Sequence, residues 1–157
     1  KLVSGMPDLE ITLTLKNNLT TVPYAIGVNN HMGSLLTQQS REIAAVMATL
    51  QKIGNLFFVD SLTTPKSIAT DMATLFKIPY VRRDIFLDSD RNSTFINNQF
   101  DKLLKIAKKR GVGLAIGHPY NETLIMLENR LPSLAAQGIE LIPVSELLNK
   151  KYRGKEL

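Results

Sequence analysis

Ala25-Ile26-Gly27-Val28-Asn29-Asn30-His31-Met32-Gly33-Ser34 decides how this chain is read. An apolar run with the composition of a buried strand breaks into two amides and a histidine, and a periodic helix begins a few residues later. Polar side chains just past the carboxyl end of a strand, ahead of a helix, are where α/β sheets and barrels hold their active sites. The pattern returns three times. Leu56-Phe57-Phe58-Val59 ends at Asp60, Ile78-Pro79-Tyr80-Val81 leads to Arg83-Asp84, and Val112 to Ile116 ends at Gly117-His118.

Working outward from that stretch, helices and strands alternate. Met6-Pro7-Asp8 opens a helix to about Leu19, with Pro7 in the first turn and Asp8 and Glu10 at its positive end. Thr37 caps a helix over 38–52, whose Ile43, Val46, Met47, Leu50 and Ile53 recur at helical spacing before Gly54 stops it. Pro65 starts a third helix, and Asn92 or Ser93 caps a fourth that Gly111 ends. A fifth follows Asn121, shortened or kinked by Pro132. Ile139 to Ile142 reads as the last strand and Ser145 as the cap of a closing helix, while Ile85-Phe86-Leu87-Asp88 fits strand or loop equally. The fold class is therefore α/β, with five parallel strands alternating with helices through right-handed crossovers. A chain of this class that opens on a helix is expected to have lost one or more preceding strands.

At 157 residues and 44% hydrophobic, the chain is long enough for one sizeable core, read as one incomplete domain over 1–148 and a basic tail over 149–157. It holds no apolar run of membrane-spanning length and no signal-peptide pattern at Lys1. Cysteine is absent, which excludes disulfides and thiolate chemistry. The formal charge of +5 falls largely on Lys105 to Arg110 and Lys150 to Lys155. Neither forms the basic stripe with interleaved aromatics that nucleic-acid binding requires, so no nucleic-acid partner is expected.

The two histidines, His31 and His118, both lie just past a strand's carboxyl end, where neutral imidazole serves as metal ligand or proton donor. Asp60, after four apolar residues, is either a site carboxylate or the cap of the following turn. Arg83-Asp84 is either part of the site or an ion pair bracing the rim, and Asp88, Asp90 and Arg91 read as loop solvation. Asn29 and Asn30 have the amides to orient a ligand or to make an Asx turn. Glu122 suits a helix start and also the role of a carboxylate polarising His118. There is no phosphate-cradling glycine loop and no Gly-x-Ser-x-Gly elbow. The residues alone define a metal or acid–base site on an α/β rim.

At Gly27 to Ser34, Phe58-Val59-Asp60-Ser61, Arg83 to Asp88, Ala115-Ile116-Gly117-His118-Pro119 and Pro143-Val144-Ser145, the chain resembles the divergent polysaccharide deacetylase family. The resemblance implies the C-terminal part of a distorted (β/α) barrel of the glycoside hydrolase/deacetylase type. It also implies a divalent metal, zinc by preference, that acts on N-acetyl or O-acetyl groups of an envelope or extracellular polysaccharide. Under it His118 is the late-strand proton donor, His31 a metal ligand, and Asp60 and Asp84 are orienting carboxylates. Asn29, Asn30, Arg83 and Glu122 are the candidates for binding the glycan. The family's Asp-Asp segment does not occur, and Leu35 stands where a His-x-x-x-His pair needs its second histidine. The piece is thus expected to be inactive by itself, and to pair with its missing N-terminal segment or another copy. The expected location, periplasm or cell envelope, follows from the resemblance. The alternative is a barrel without catalysis that binds glycan or an envelope protein.

Overall fold

The computed structural model describes residues 1–152. They form two compact units, one of Lys1–Arg82 with the segment from Pro143 onward, the other of Arg83–Ile142.

In the first unit α1 (Asp8–Thr20) leads to β1 (Gly27–Asn29), α2 (Ser40–Ile53), β2 (Phe57–Asp60), α3 (Ala69–Leu75) and β3 (Tyr80–Arg82), and helix α6 (Val144–Tyr152) closes it. The strands make a parallel sheet in the order β1-β2-β3, with Val28 opposite Phe58 and Val59 opposite Val81. The apolar stripe of α2 is the reason the unit holds together: Ile43, Val46, Met47 and Leu50 are buried in one cluster with Ile11, Leu15 and Phe58. Truncating any of these to alanine costs about 2–5 kcal/mol. Polar ties fasten α1 to α2. Thr12 and Thr49 share a hydroxyl hydrogen bond of 3.0 Å, Arg41 pairs with Asp8, and the Glu42 carboxylate accepts the Gly5 N–H at 3.0 Å. That N–H, with Arg41 beside it, outweighs burial and holds the Glu42 carboxyl below its ordinary value. Gly27 has no side chain because the Phe57 ring occupies the space; a Cβ there would lie 2.3 Å from it. On the outer side of β3 the Tyr152 hydroxyl accepts the Tyr80 N–H at 3.2 Å and donates to the Tyr80 carbonyl at 3.1 Å. Lys151 Nζ donates to the same carbonyl at 2.9 Å.

The second unit contains β4 (Ile85–Phe86), α4 (Ser93–Arg110), β5 (Ala115–Ile116) and α5 (Asn121–Arg130), then 3-10 turns over Leu131–Ser133 and Ala135–Gln137. β4 and β5 pair in parallel, Ile85 opposite Ala115 and Phe86 opposite Ile116. Asn92 caps α4 by accepting the N–H groups of Thr94 and Phe95 at 2.9 and 3.1 Å, and Gly111 ends it with φ 80°. Ile96, Phe100 and Leu104 of α4 pack with Met126, Leu134, Ile85 and Leu87 in a separate core.

The chain is α/β, with parallel strands alternating with helices. Among the described residues the strands form two open sheets and no closed barrel. One element that the sequence left open is settled, and others differ from the sequence reading. Ile85-Phe86 is a strand, whereas Ile139 to Ile142 is not; Pro143 follows that segment, no neighbouring strand supplies partners, and Leu141 is exposed. The third helix starts at Ala69 rather than Pro65, because Ser67 and Ile68 are spent on other bonds: the Ser67 hydroxyl donates to Asp60 and the Ile68 N–H to the Thr37 carbonyl. Helix α6 continues past Leu148 to Tyr152, so the expected tail is helical at its start, and residues 153–157 lie outside the described residues.

Candidate functional site

The rim of the first unit is laced together by amides and hydroxyls. The Ser61 N–H donates to Asn30 Oδ1 at 2.8 Å, Asn29 Nδ2 to Ser61 Oγ at 3.3 Å, and both Asn30 Nδ2 and Thr63 Oγ1 to the Met32 carbonyl. These bonds hold Met32 and Leu62 in left-handed backbone at φ 56° and 49°. Such a conformation costs a non-glycine residue about 1–3 kcal/mol. Asn29 and Asn30 therefore tie the loop after β1 to the loop after β2, and exposed His31 rides on the first of them. Asp60 is 0% exposed. Its Oδ1 accepts the Leu62 N–H at 2.9 Å and its Oδ2 the Ser67 hydroxyl at 3.0 Å, so this carboxylate shapes the loop ahead of α3.

The second unit places a carboxylate–imidazole pair at the carboxyl end of its strands. Asp88, two residues past β4, is 4% exposed. Its Oδ1 lies 3.0 Å from His118 Nδ1, while Oδ2 accepts the His118 N–H at 2.6 Å and the Thr123 hydroxyl at 2.8 Å. Burial pushes the Asp88 carboxyl up, but the hydrogen bonds from the His118 amide and ring and from Thr123 outweigh it and hold the group below its ordinary value. An ionised carboxylate only accepts, so Nδ1 carries the hydrogen and the ring is set in one tautomer. Gly117 makes the approach possible, since a Cβ there would sit 3.1 Å from Asp88 Oδ2.

Aromatic rings flank the imidazole. Phe86 lies 5.6 Å from it and Tyr120 5.0 Å, centroid to centroid. Arg83 stands over the Phe86 ring at 5.3 Å and Arg91 over the Tyr120 ring at 4.6 Å. Glu122 does not polarise His118, as its position suggested. Both its oxygens are taken by Arg91 Nη2, at 3.0 and 3.1 Å. Its own backbone N–H and that pairing hold its carboxyl below the ordinary value.

Asp84 lies at the other end of the strand pair. It immediately precedes β4, its Oδ2 accepts the Leu114 N–H ahead of β5 at 2.9 Å, and its Oδ1 pairs with Arg110. It braces the amino ends of β4 and β5, away from His118, and its ion-pair partner is Arg110 rather than the adjacent Arg83. Asp88, Thr123, Phe86, Tyr120 and Arg91 were not singled out for the site by sequence. The available signal was Leu87-Asp88 itself, an apolar run ending in a carboxylate as Val59-Asp60 does.

Among the described residues no three His, Asp or Glu side chains converge as a metal centre requires. Catalytic zinc is held by about three protein ligands, and Asp60 is engaged by Leu62 and Ser67, so these side chains by themselves do not fit a zinc ion. A hollow of about 440 Å³ in the first unit opens at the amino ends of its strands, between Ile26, Leu56, Ile78, Pro79 and Leu148. It lies opposite the rim that carries His31 and Asp60, with Lys77 as its one charged lining residue.

The chain is thus an α/β protein with a buried Asp–His pair at the carboxyl end of two paired strands. The family model for divergent polysaccharide deacetylase matches residues 1–148, and the chain belongs to that family. It is 35% identical over 145 residues to the uncharacterized protein YibQ of Escherichia coli, covering 92% of this chain and 45% of that protein. An uncharacterized protein of Haemophilus influenzae is 34% identical over 143 residues, covering 91% of this chain and 50% of the relative. The chain thus spans about half the length of these relatives. The crystal structure of the uncharacterized protein ATU2773 from Agrobacterium tumefaciens superposes with a TM-score of 0.87 at 22% identity, over 91% of this chain and 58% of that one. That likeness concerns the fold. No helix among the described residues is long and apolar enough to cross a membrane.

Proposed function

We propose that the protein containing these residues hydrolyses acetyl groups from a glycan of the cell envelope or extracellular matrix, with His118 as its proton-transfer residue. The observation that carries this reading is the Asp88–His118 pair. A buried carboxylate on Nδ1 fixes the tautomer and stabilises the imidazolium, which leaves Nε2 to exchange the proton. The His118 side chain is 35% exposed, enough for a substrate to reach the ring while the carboxylate behind it stays dry.

Water adds to the acetyl carbonyl as its proton passes to solvent, the carbonyl carbon's bond to the sugar nitrogen or oxygen breaks, and acetate departs. His118 delivers a proton to the leaving amine or alcohol and is recharged from solvent.

The test is acetate release from N-acetylated and O-acetylated oligosaccharides, measured on the longest natural form of the protein with divalent ions supplied. Release that falls about 10²–10⁴-fold in His118→Ala supports the reading. Release unaffected by that substitution rejects His118. Binding of the oligosaccharides without any release favours the glycan-binding alternative.

A further inference from the structure

We propose that Tyr120 is a positioning residue for His118, acting through the face of its ring, and that Arg91 and Glu122 brace it there. The inference rests on the reading of His118 as the proton-transfer group.

The Asp88 bond fixes one ring nitrogen, and two aromatic neighbours pack on the imidazole. Phe86 meets the imidazole at 46° and Tyr120 at 30°, with centroids 5.6 and 5.0 Å away. Tyr120 immediately precedes α5, in extended backbone at φ −73° and ψ 147°, so its own ring needs a brace. Arg91 supplies it. The guanidinium carbon lies 4.6 Å from the Tyr120 centroid, within the range in which a cation is held by a ring. Its Nη2 is held by both Glu122 oxygens, from the first turn of the helix that Tyr120 precedes. The order Glu122, Arg91, Tyr120, His118, Phe86 is therefore a chain of contacts that begins and ends on backbone elements of one unit. Arg91 is 59% exposed and paired with a carboxylate, a poor arrangement for a substrate-binding cation but adequate for a brace.

A small misplacement of a reacting group costs up to about 10²-fold in rate. Tyr120→Ala should lower kcat for acetate release about 10–100-fold and move KM less than about 3-fold. Tyr120→Phe, which keeps the ring face and loses the hydroxyl, should restore kcat to within about 2-fold. Arg91→Ala should show a smaller kcat loss of the same kind. The independent readout is the mobility of the His118 ring, read from ¹³C relaxation at its Cδ2 and Cε1: rigid in the parent and in Tyr120→Phe, mobile in Tyr120→Ala. Should the alanine variant fail to fold, Tyr120→Leu fills the volume without an aromatic face and is expected to behave as the alanine variant does. Tyr120→Phe losing as much as Tyr120→Ala, KM rising at constant kcat, or an unchanged ring mobility in the non-aromatic variants would each overturn the proposal. If no substrate releases acetate, a gain of ring mobility confined to the non-aromatic variants still supports the clamp while the hydrolase reading fails.

Discussion

Asp60 and Asp88 make a controlled comparison within one molecule. Each ends an apolar run at the carboxyl end of a parallel strand, and each is buried at 0% and 4% exposure. Asp60 spends its oxygens on neutral donors of its own loop, the Leu62 N–H and the Ser67 hydroxyl. Asp88 reaches across to the next strand's loop and takes both the backbone and the ring of His118. The same strand-end grammar thus yields a loop latch in one unit and a carboxylate–imidazole pair in the other. What decides the outcome is the residue opposite: Asp60 faces Arg82 in register and a loop of hydroxyls, whereas Asp88 faces the backbone of Gly117-His118 across a pair of strands.

The largest expected difference between the two is in turnover. Asp88→Asn should lower acetate release about 10²–10⁴-fold, because an amide no longer selects the Nδ1–H tautomer or stabilises the imidazolium. Asp60→Asn should change it less than about 10-fold, and a loss as deep as that of Asp88→Asn would erase the distinction. In stability the order reverses. Asp60→Ala strands two buried donors and should cost about 2–4 kcal/mol by urea denaturation, while His118→Ala at the half-exposed site should cost about 1 kcal/mol or less.

A smaller effect separates them in acid. The folded-state carboxyl of Asp88 is held below its ordinary value, so its contribution to stability is complete above the unfolded value of about 3.9 and is lost as pH falls through the lower folded one. Asp88→Asn should flatten the melting-temperature curve below about pH 4 relative to the parent, and an acid limb as steep as the parent's would remove Asp88 as its source. The smallest expected effect is at the far end of β4. Asp84→Asn loosens a half-exposed pair with Arg110, should cost about 1 kcal/mol or less, and should leave turnover unchanged. A rate loss there would return Asp84 to the site.

How legible this was depends on the length of each element. Helices α2 and α4 announce themselves through several turns of apolar spacing, and Asn92, Gly54 and Gly111 sit at the expected ends. Strands of two residues have no period to read. Ile85-Phe86 is a strand because Ala115-Ile116 lies beside it, and Ile139 to Ile142, with as large a share of β-branched residues, is none for want of such a neighbour among the described residues. The misplacement of Asp84 and the neglect of Asp88 are one consequence of this. Once β4 occupies 85–86, Asp84 falls at its amino end and Asp88 past its carboxyl end, beside His118. His118 itself was legible, since Val112 to Ile116 is an unbroken apolar run. The partner was not, because the apolar run before Asp88 is too short to tell strand from loop.

The Tyr152 hydroxyl on both backbone groups of Tyr80 has a consequence for self-association. A sheet polymerises edge to edge only if each copy offers two open edges, one to give and one to receive. In the three-stranded sheet the β3 edge is already occupied at Tyr80, which leaves β1 as its other border among the described residues. Another strand pairing onto the β3 side would first have to displace the Tyr152 hydroxyl and the Lys151 ammonium from Tyr80, so the end of α6 stands guard over that edge.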